Sequence, residues 1–255
     1  MKNYIYDGSF QGFLTIVYEI FTAKDFNVNI ISNSDFPKVL FESKFINTDL
    51  EKAEKVIARI KNSFSNKSLY NITGAFLSDL TGKENLILSY IILGIKYGKS
   101  VENKLDEDTI VKIIKTSERT YKEAHRIKGI LRFKELADNS FYAPISPDNN
   151  ILPVIYRHFE KRFPSQNFII HDIKRKICII YNGSYSEFYD NVIPENSVIE
   201  NHSSVLSSEE LVFQNLWKNY FSSIAIKERQ NLKLQMKFVP KKYWNYITEM
   251  EKTNE

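Results

Sequence analysis

The pattern of apolar residues changes near residue 130, and this change constrains the fold more than any other feature of the sequence. Before it, apolar residues recur every three or four positions over long stretches, as in amphipathic helices. After it, short runs rich in β-branched and aromatic residues are separated by turn signals, which is typical of strands. The sequence therefore predicts an α+β protein. Its N-terminal half should be helix-rich, and its second half should hold a small antiparallel sheet with packed helices.

Two regions are predicted from this change. Residues 1–104 should form a helix-rich N-terminal region, and residues 105–255 should form an α+β region with the antiparallel sheet and C-terminal helices, packed as one unit. Only 8 glycines and 7 prolines occur in 255 residues, which leaves little room for a low-complexity linker.

Three local signals set the predicted boundaries in the first half. The segment "YIYDGSFQGFLTIVYEIFTA" predicts a strand, a turn at Asp7 and Gly8, and a helix. The segment "TDLE" predicts a capping box, with Thr48 as the N-cap and Glu51 as its partner. A helix from about residue 108 to 128 should end at Gly129, because glycine suits the position just beyond a helix.

The second half contains five runs with strand character and three helical segments. The helix "ILPVIYRHFEKRF" interrupts the strands, and a C-terminal helix should begin at Ser207, with an apolar face that includes Phe213, Leu216 and Trp217. A short helix is expected to begin at Pro240. The predicted strands are "GILRFKEL", "SFYAPI", "NFIIHD", "KICIIY" and "YSEFYD".

Cysteine content and the N-terminus indicate the cellular compartment. Cys178 is the only cysteine, so an intramolecular disulfide is impossible, and its apolar surroundings favour a buried strand position. The N-terminus does not have the pattern of a signal peptide. The apolar run "LILSYIILGI" is about half the roughly 20 residues needed to span a bilayer. We therefore expect a cytoplasmic protein that does not insert into a membrane.

A row of cations on the predicted helix before Gly129 is the main candidate binding surface. Its members are spaced three, four, three and four residues apart and therefore share one helix face. Such a face could contact phosphates or an acidic protein, but surface helices also carry solvated lysine and arginine without a partner, so all three interpretations stay open. The row comprises Lys112, Lys115, Arg119, Lys122 and Arg126, and Lys128 and Arg132 could extend it.

A second basic stretch near the C-terminus contains aromatic residues among its cations. Aromatic rings beside cations can stack on unpaired bases, so Lys241 and Trp244 are candidates for nucleic-acid contacts. The alternative is that Trp244 anchors the C-terminus to the core.

Signals for catalysis or metal binding are weak. The four histidines form no HExxH, HxH or Cys/His zinc spacing, and the sequence has no P-loop, dinucleotide-binding glycines or GxSxG elbow. His171 and Asp172 are adjacent in a predicted strand, so their side chains should leave opposite faces. His125 flanks the basic row and could contact a phosphate or cap the helix. We therefore predict neither a metal nor a cofactor, and one cysteine cannot hold a radical-SAM iron–sulfur cluster.

Four segments, in order, resemble the bacterial family described as "probable DNA metabolism protein". They are "YDGSFQGFLTIVYEIF", "EAHRIKGILRFKEL", "YAPISPDNNILPVIYRHFEKRFPSQNFIIHD" and "IAIKERQNLKLQMKFVPKKYW", and the resemblance that they carry extends over nearly the whole chain. The resemblance implies association with a radical-SAM protein of DNA modification or repair. It also implies, for some members, fusion to a uracil-DNA glycosylase family domain, whereas this chain is expected to be the stand-alone form. It assigns no catalytic residue.

Two main hypotheses for the function are compatible with these features. The first is an accessory protein of DNA metabolism or repair that binds nucleic acid, a radical-SAM partner, or both. The alternative is an enzyme acting on DNA or a damaged base, with His125, His171, Asp172 or Arg132 gathered in a cleft. A pure protein scaffold is a third option, and the sequence does not decide whether the chain is an enzyme. The nucleic-acid-binding candidates are Lys115, Arg119, Lys122, Arg126, Lys128, Arg132, Lys241 and Trp244.

Overall fold

The computed structural model describes residues 2–33, 43–190 and 206–250. The chain forms two compact units, residues 1–120 and residues 121–255. The division falls inside a long helix, and the boundary predicted after residue 104 lies upstream of it. In its described parts the fold is α+β, as the sequence predicts.

The first unit begins with a β-α-β segment. Strands β1 (Lys2–Tyr6) and β2 (Val28–Ser32) are parallel, and helix α1 (Phe10–Ala23) provides the crossover that a parallel pair requires. Strand β3 (Ser43–Phe45) pairs in parallel with the other edge of β1. The predicted strand, turn and helix at the N-terminus are therefore confirmed. The sequence also predicts a strand over "VLFESKFI"; the first half of this segment lies outside the described residues, and β3 falls in the second half.

Helices make up the remainder of the first unit. The predicted N-cap of the second helix is wrong by one residue, because the Asp49 side chain accepts the hydrogen bond from the Lys52 N–H at 3.1 Å. The Thr48 hydroxyl instead donates to Asp7 at 2.7 Å. No helix in the described ranges is both long and apolar enough to cross a membrane. The helices are α2 (Leu50–Ser63), α3 (Ser68–Phe76), α4 (Lys83–Tyr97) and a 3₁₀ helix (Gly98–Asn103).

Helix α5 (Asp108–Ile130) is longer than predicted. It continues through Gly129, and the N–H of Leu131 still donates to the Ile127 carbonyl at 2.9 Å. A single glycine inside a helix costs only about 0.5–1 kcal/mol relative to alanine, which packing of the buried face can offset. The predicted stop at Gly129 is therefore wrong.

The second unit holds a five-stranded sheet of order β4-β5-β6-β7-β8 within the described ranges. The sequence predicts a small antiparallel sheet, but the observed sheet is mixed, because β5 and β6 are parallel. Helix α6 (Leu152–Arg162) lies between them in sequence and carries the chain back across the sheet. The strands are β4 (Lys134–Glu135), β5 (Phe141–Ile145), β6 (Phe168–Asp172), β7 (Ile177–Tyr181) and β8 (Ser186–Tyr189).

The core of the second unit joins one face of the sheet to α6 and to the C-terminal end of α5. Side chains that alternate along β6 and β7 contribute Ile170 and Ile179, and α6 contributes Ile155 and Phe159. Cys178 is also buried, as predicted, and is paired in register with His171 on β6.

Two α-helices and two 3₁₀ helices, the first of them Lys227–Arg229, follow residue 206 in the described part of the chain. Helix α7 (Ser208–Ile224) is capped as predicted, because Ser207 Oγ accepts a hydrogen bond from the Glu210 N–H at 3.0 Å. Helix α8 (Leu232–Phe238) comes next. The short helix predicted after Pro240 is a 3₁₀ helix (Lys241–Tyr246), and it buries Tyr243 in the core.

Candidate nucleic-acid interface

The basic face of α5 consists of Lys112, Lys115, Arg119, Lys122 and Arg126. The first four side chains are exposed and the fifth is half-buried, whereas the opposite side of the helix is buried. At 1.5 Å per residue, the row extends for about 21 Å, which is comparable to about six phosphates of a DNA strand.

Most of these cations are not neutralised by the protein. Within residues 2–33, 43–190 and 206–250, Lys115, Arg119 and Arg126 take part in no ion pair. Their charges are therefore not paired with a carboxylate among the described residues. The arrangement is compatible with an anionic partner, and the ordinary solvated-surface interpretation remains the alternative to it.

A smaller basic cluster lies at the C-terminal end of α5 and consists of Lys128, His158 and Arg162. Partial burial lowers the pKa of His158, and repulsion from Lys128 and Arg162 lowers it further. Both cations therefore act electrostatically on the imidazole. Lys128 is half-buried, and Arg162 is exposed in the last turn of α6.

Arg132 forms internal contacts rather than facing solvent. Its guanidinium donates to Glu249 Oε1 at 2.8 Å and to the Ile130 carbonyl at 3.2 Å. The indole N–H of Trp217 donates to the other oxygen of Glu249 at 3.0 Å. Burial by itself would raise the pKa of Glu249. The hydrogen bonds to its carboxylate, with that from Arg132 first among them, outweigh burial, so the pKa lies below its usual value. Arg132 thus ties the end of α5 to the C-terminal segment.

We expect Arg132→Ala to lower the free energy of unfolding by about 1–3 kcal/mol, because Glu249 would remain mostly buried without its charged partner. Urea denaturation followed by tryptophan fluorescence measures this. Lys128→Ala is the matched control, since Lys128 has no carboxylate partner among the described residues. Equal stability of the two variants would contradict a structural role for Arg132.

The other two C-terminal candidates contact each other. The Lys241 ammonium lies 5.9 Å from the centre of the Trp244 ring, and the Trp244 indole N–H donates to the Val239 carbonyl at 2.8 Å. Trp244 is half-buried, and its only polar group is used internally. These contacts favour the anchoring role for Trp244, while Lys241 stays exposed.

Glu123 is the most strongly engaged side chain on α5, and sequence reasoning missed it. It is 5% exposed, and Tyr243 donates to it at 2.5 Å. The backbone N–H groups of Asp148 and Asn149 donate at 2.9 and 2.8 Å, and Lys242 at 3.0 Å. Burial alone would raise the pKa of Glu123, but these hydrogen bonds lower it to about 2. One sequence signal could have revealed this role of Glu123. It is an acidic residue beside Ala124, on the side of the helix that faces the core.

The four residues suggested for an enzymatic cleft lie in different surroundings, and Arg132 is already paired with Glu249. His125 is exposed on α5, whereas His171 is buried, with Nδ1 2.9 Å from the Tyr142 hydroxyl. Asp172 leaves the opposite face of β6 and accepts from Arg175 at 2.9 Å. Burial raises the pKa of Asp172 despite this ion pair. The described part of the chain also contains no group of three or more His, Cys, Asp or Glu side chains that could hold a metal ion.

A second exposed surface is the apolar face of α7. Six side chains are between 41% and 62% exposed and lie within an arc of about 140° on the helix. The sequence predicts this apolar stripe, but α7 buries none of its residues. Exposed apolar patches of this kind mark interaction sites. The apolar face of α7 consists of Val212, Phe213, Leu216, Trp217, Tyr220 and Ile224.

Together, the fold and these surfaces define an α+β protein with an exposed cationic helix and an exposed apolar helix. The family described as a domain of unknown function, DUF4130, matches residues 81–249, so the chain belongs to this family. The chain is also similar to the RecBCD enzyme subunit RecB of Borreliella burgdorferi, with 24% identity over 254 aligned residues. That alignment covers 86% of this chain and 21% of RecB, so the chain spans about a fifth of this curated relative. No solved structure matches the chain.

Proposed function

We propose that the chain is an accessory protein of DNA metabolism or repair that binds nucleic acid through the basic face of α5. The observation that carries the proposal is the exposed row of cations, three of which have no ion-pair partner among the described residues. The similarity to RecB and the resemblance to a DNA-metabolism family support a nucleic-acid partner over other anions.

Binding of the whole chain to fluorescently labelled DNA tests the proposal directly. Phosphate contacts release counterions, so affinity should be measurable at about 50 mM salt and should fall steeply towards about 200 mM. Fluorescence anisotropy measures both the affinity at low salt and its decrease as salt is added. Absence of binding to single-stranded and duplex DNA at low salt would contradict the proposal.

The apolar face of α7 favours a second activity, namely binding of a protein partner. Charged residues are absent from this face, and its three aromatic side chains are of the kind enriched in binding hot spots. The resemblance points to a radical-SAM protein of DNA repair as this partner, which would supply the chemistry that one cysteine cannot support. A uracil-DNA glycosylase family domain, whose fusion to some family members the resemblance implies, would act in the same process.

We expect Leu216→Lys together with Tyr220→Lys to abolish recovery of a radical-SAM protein in a pull-down from the native cell. Two charges in the centre of the apolar face would have to be desolvated on binding. Nuclease treatment before the pull-down separates direct contact from a shared DNA tether.

The control adds the same two charges to the polar side of the helix, as Asn215→Lys with Asn219→Lys. Both asparagines are exposed, so this variant should recover the partner normally. Equal loss in the two variants would exclude the apolar face as the binding surface. Recovery only of further copies of this chain would contradict the radical-SAM assignment and show self-association instead.

A further inference from the structure

A half-open aromatic cleft lies in the second unit, where strands β5 and β6 begin. Its volume is about 230 Å³, and its lining is aromatic except for one amide. Phe141 and Phe168 are register neighbours on the parallel strands, so both rings leave the same face of the sheet. Phe133 and Phe163 complete the aromatic lining, and Gln166 lies at the mouth.

The rings of this cleft leave aromatic surface available to a planar guest. Phe133 lies 5.5 Å from Phe163 at an interplanar angle of 83°, and 5.4 Å from Phe168 at 58°. The two rings of each pair are inclined to each other and are not stacked in parallel. Three of the four lining phenylalanines are only half-buried, although burial of aromatic rings is favourable.

The loop at the mouth is held in place and presents an unused amide. The Tyr181 hydroxyl donates to the Pro164 carbonyl at 3.0 Å, and the Phe141 N–H donates to the Asn167 carbonyl at 3.0 Å. Within the parts of the chain that are described, the exposed Gln166 side chain makes no hydrogen bond. The Gln166 amide offers both a donor and an acceptor, which can match the polar edge of a nucleobase.

Cations lie beside the aromatic lining. The Arg162 guanidinium stands 5.7 Å from the centre of the Phe163 ring, which forms one wall of the cleft. Arg162 belongs to the basic cluster with Lys128 and His158. His158 in turn packs edge-on against Phe159, whose ring lies 5.5 Å from Phe133. A phosphate could therefore contact the basic cluster while its base enters the cleft.

We propose that this cleft binds one unpaired nucleobase, so that the nucleic acid recognised by the chain is single-stranded or locally unpaired. The inference rests on the proposed function and specifies its substrate class. A base paired within a duplex cannot insert its ring among the four phenylalanines without leaving the stack. The basic face of α5 would bind any phosphate backbone, whereas the cleft would select strands with free bases.

The test compares binding of the whole chain to an oligothymidylate of about 15 nucleotides, a duplex of equal length, and thymidine monophosphate. We expect tighter binding to the single strand than to the duplex. Phe163→Ala should weaken single-strand binding by about 10-fold and leave duplex binding unchanged, because it removes one stacking surface. Gln166→Ala, at an exposed position that does not threaten folding, should weaken single-strand binding less and in the same direction.

Phe188→Ala is the matched control, since this half-exposed phenylalanine on β8 lies outside the cleft. It should bind both DNA forms as the native chain does. If the chain bound thymidine monophosphate but did not prefer the single strand to the duplex, the cleft would be a site for a free nucleotide and not for a strand. This result would overturn the proposal. Equal binding of single strand and duplex, unaltered by Phe163→Ala and Gln166→Ala, would also overturn it while leaving the proposed function intact. Absence of all DNA binding would remove both.

Discussion

Glu123→Ala is expected to lower the free energy of unfolding by about 3–5 kcal/mol, the largest stability effect we anticipate for one substitution on α5. Removal of this carboxylate leaves Tyr243 buried without its acceptor, and two backbone N–H groups lose theirs. Lys242 would retain only Asp148, which lies 2.5 Å away. Urea denaturation at neutral pH measures the loss. Glu118→Ala, at an exposed position on the same helix, is the control and should change stability far less.

The same carboxylate should make the stability depend on pH. The pKa of Glu123 falls from 4.5 to about 2 on folding, so the folded state favours the charged form. This contribution, on the order of 3 kcal/mol, is complete above about pH 4.5 and is lost as the pH falls towards 2. Glu123→Gln should therefore show a weaker decline in stability over this range than the native chain. If the stability of the native chain and of Glu123→Gln fell equally with pH, the pH dependence would not arise from Glu123.

Reversal of three charges on the basic face of α5 should have the largest effect on binding. We expect Arg119→Glu, Lys122→Glu and Arg126→Glu together to weaken DNA binding on the order of 100-fold at moderate salt, because attraction to phosphates becomes repulsion. These side chains are exposed or half-buried, so the fold should be retained. Fluorescence anisotropy measures the affinity, and circular dichroism confirms the fold.

A control variant with the same change in net charge distinguishes an effect of the basic face on DNA binding from an effect of the overall net charge. Lys55→Glu, Arg59→Glu and Lys61→Glu reverse three exposed cations on α2. This variant should keep most of the affinity of the native chain. Equal weakening by the two triple variants would show that net charge alone governs binding, and the basic face would lose its special role.

Periodicity predicted the elements of this fold well, because each depends on local spacing. The N-terminal β1 and α1, the cap of α7 at Ser207 and the helix α6 between the strands are all confirmed. The parallel pairing of β5 with β6 was missed, because it depends on where α6 returns the chain and not on strand composition. Gly129 was misread because packing of α5 outweighs the preference of glycine for helix ends.

The candidate surfaces were only partly predictable, because only some of them depend on local residue spacing. The basic face of α5 follows from residue spacing alone, and the structure places its cations on the exposed side. Contacts that join distant residues could not be read from the sequence, such as those of Arg132 with Glu249 and of Glu123 with Tyr243. The aromatic cleft was missed because its lining comes from three separate segments that only the fold brings together.

The salt dependence of DNA binding tests the central claim most directly, because its slope reports how many phosphates the protein neutralises. For duplex DNA, the five cations of the basic face predict a slope of log affinity against log salt of about −4 to −5. Arg119→Ala, Lys122→Ala and Arg126→Ala together should make the slope shallower by about 2 to 3, whereas the corresponding alanine changes at Lys55, Arg59 and Lys61 should leave it unchanged. A slope that stays the same in the α5 variant, or no binding by the native chain at low salt, would contradict the account.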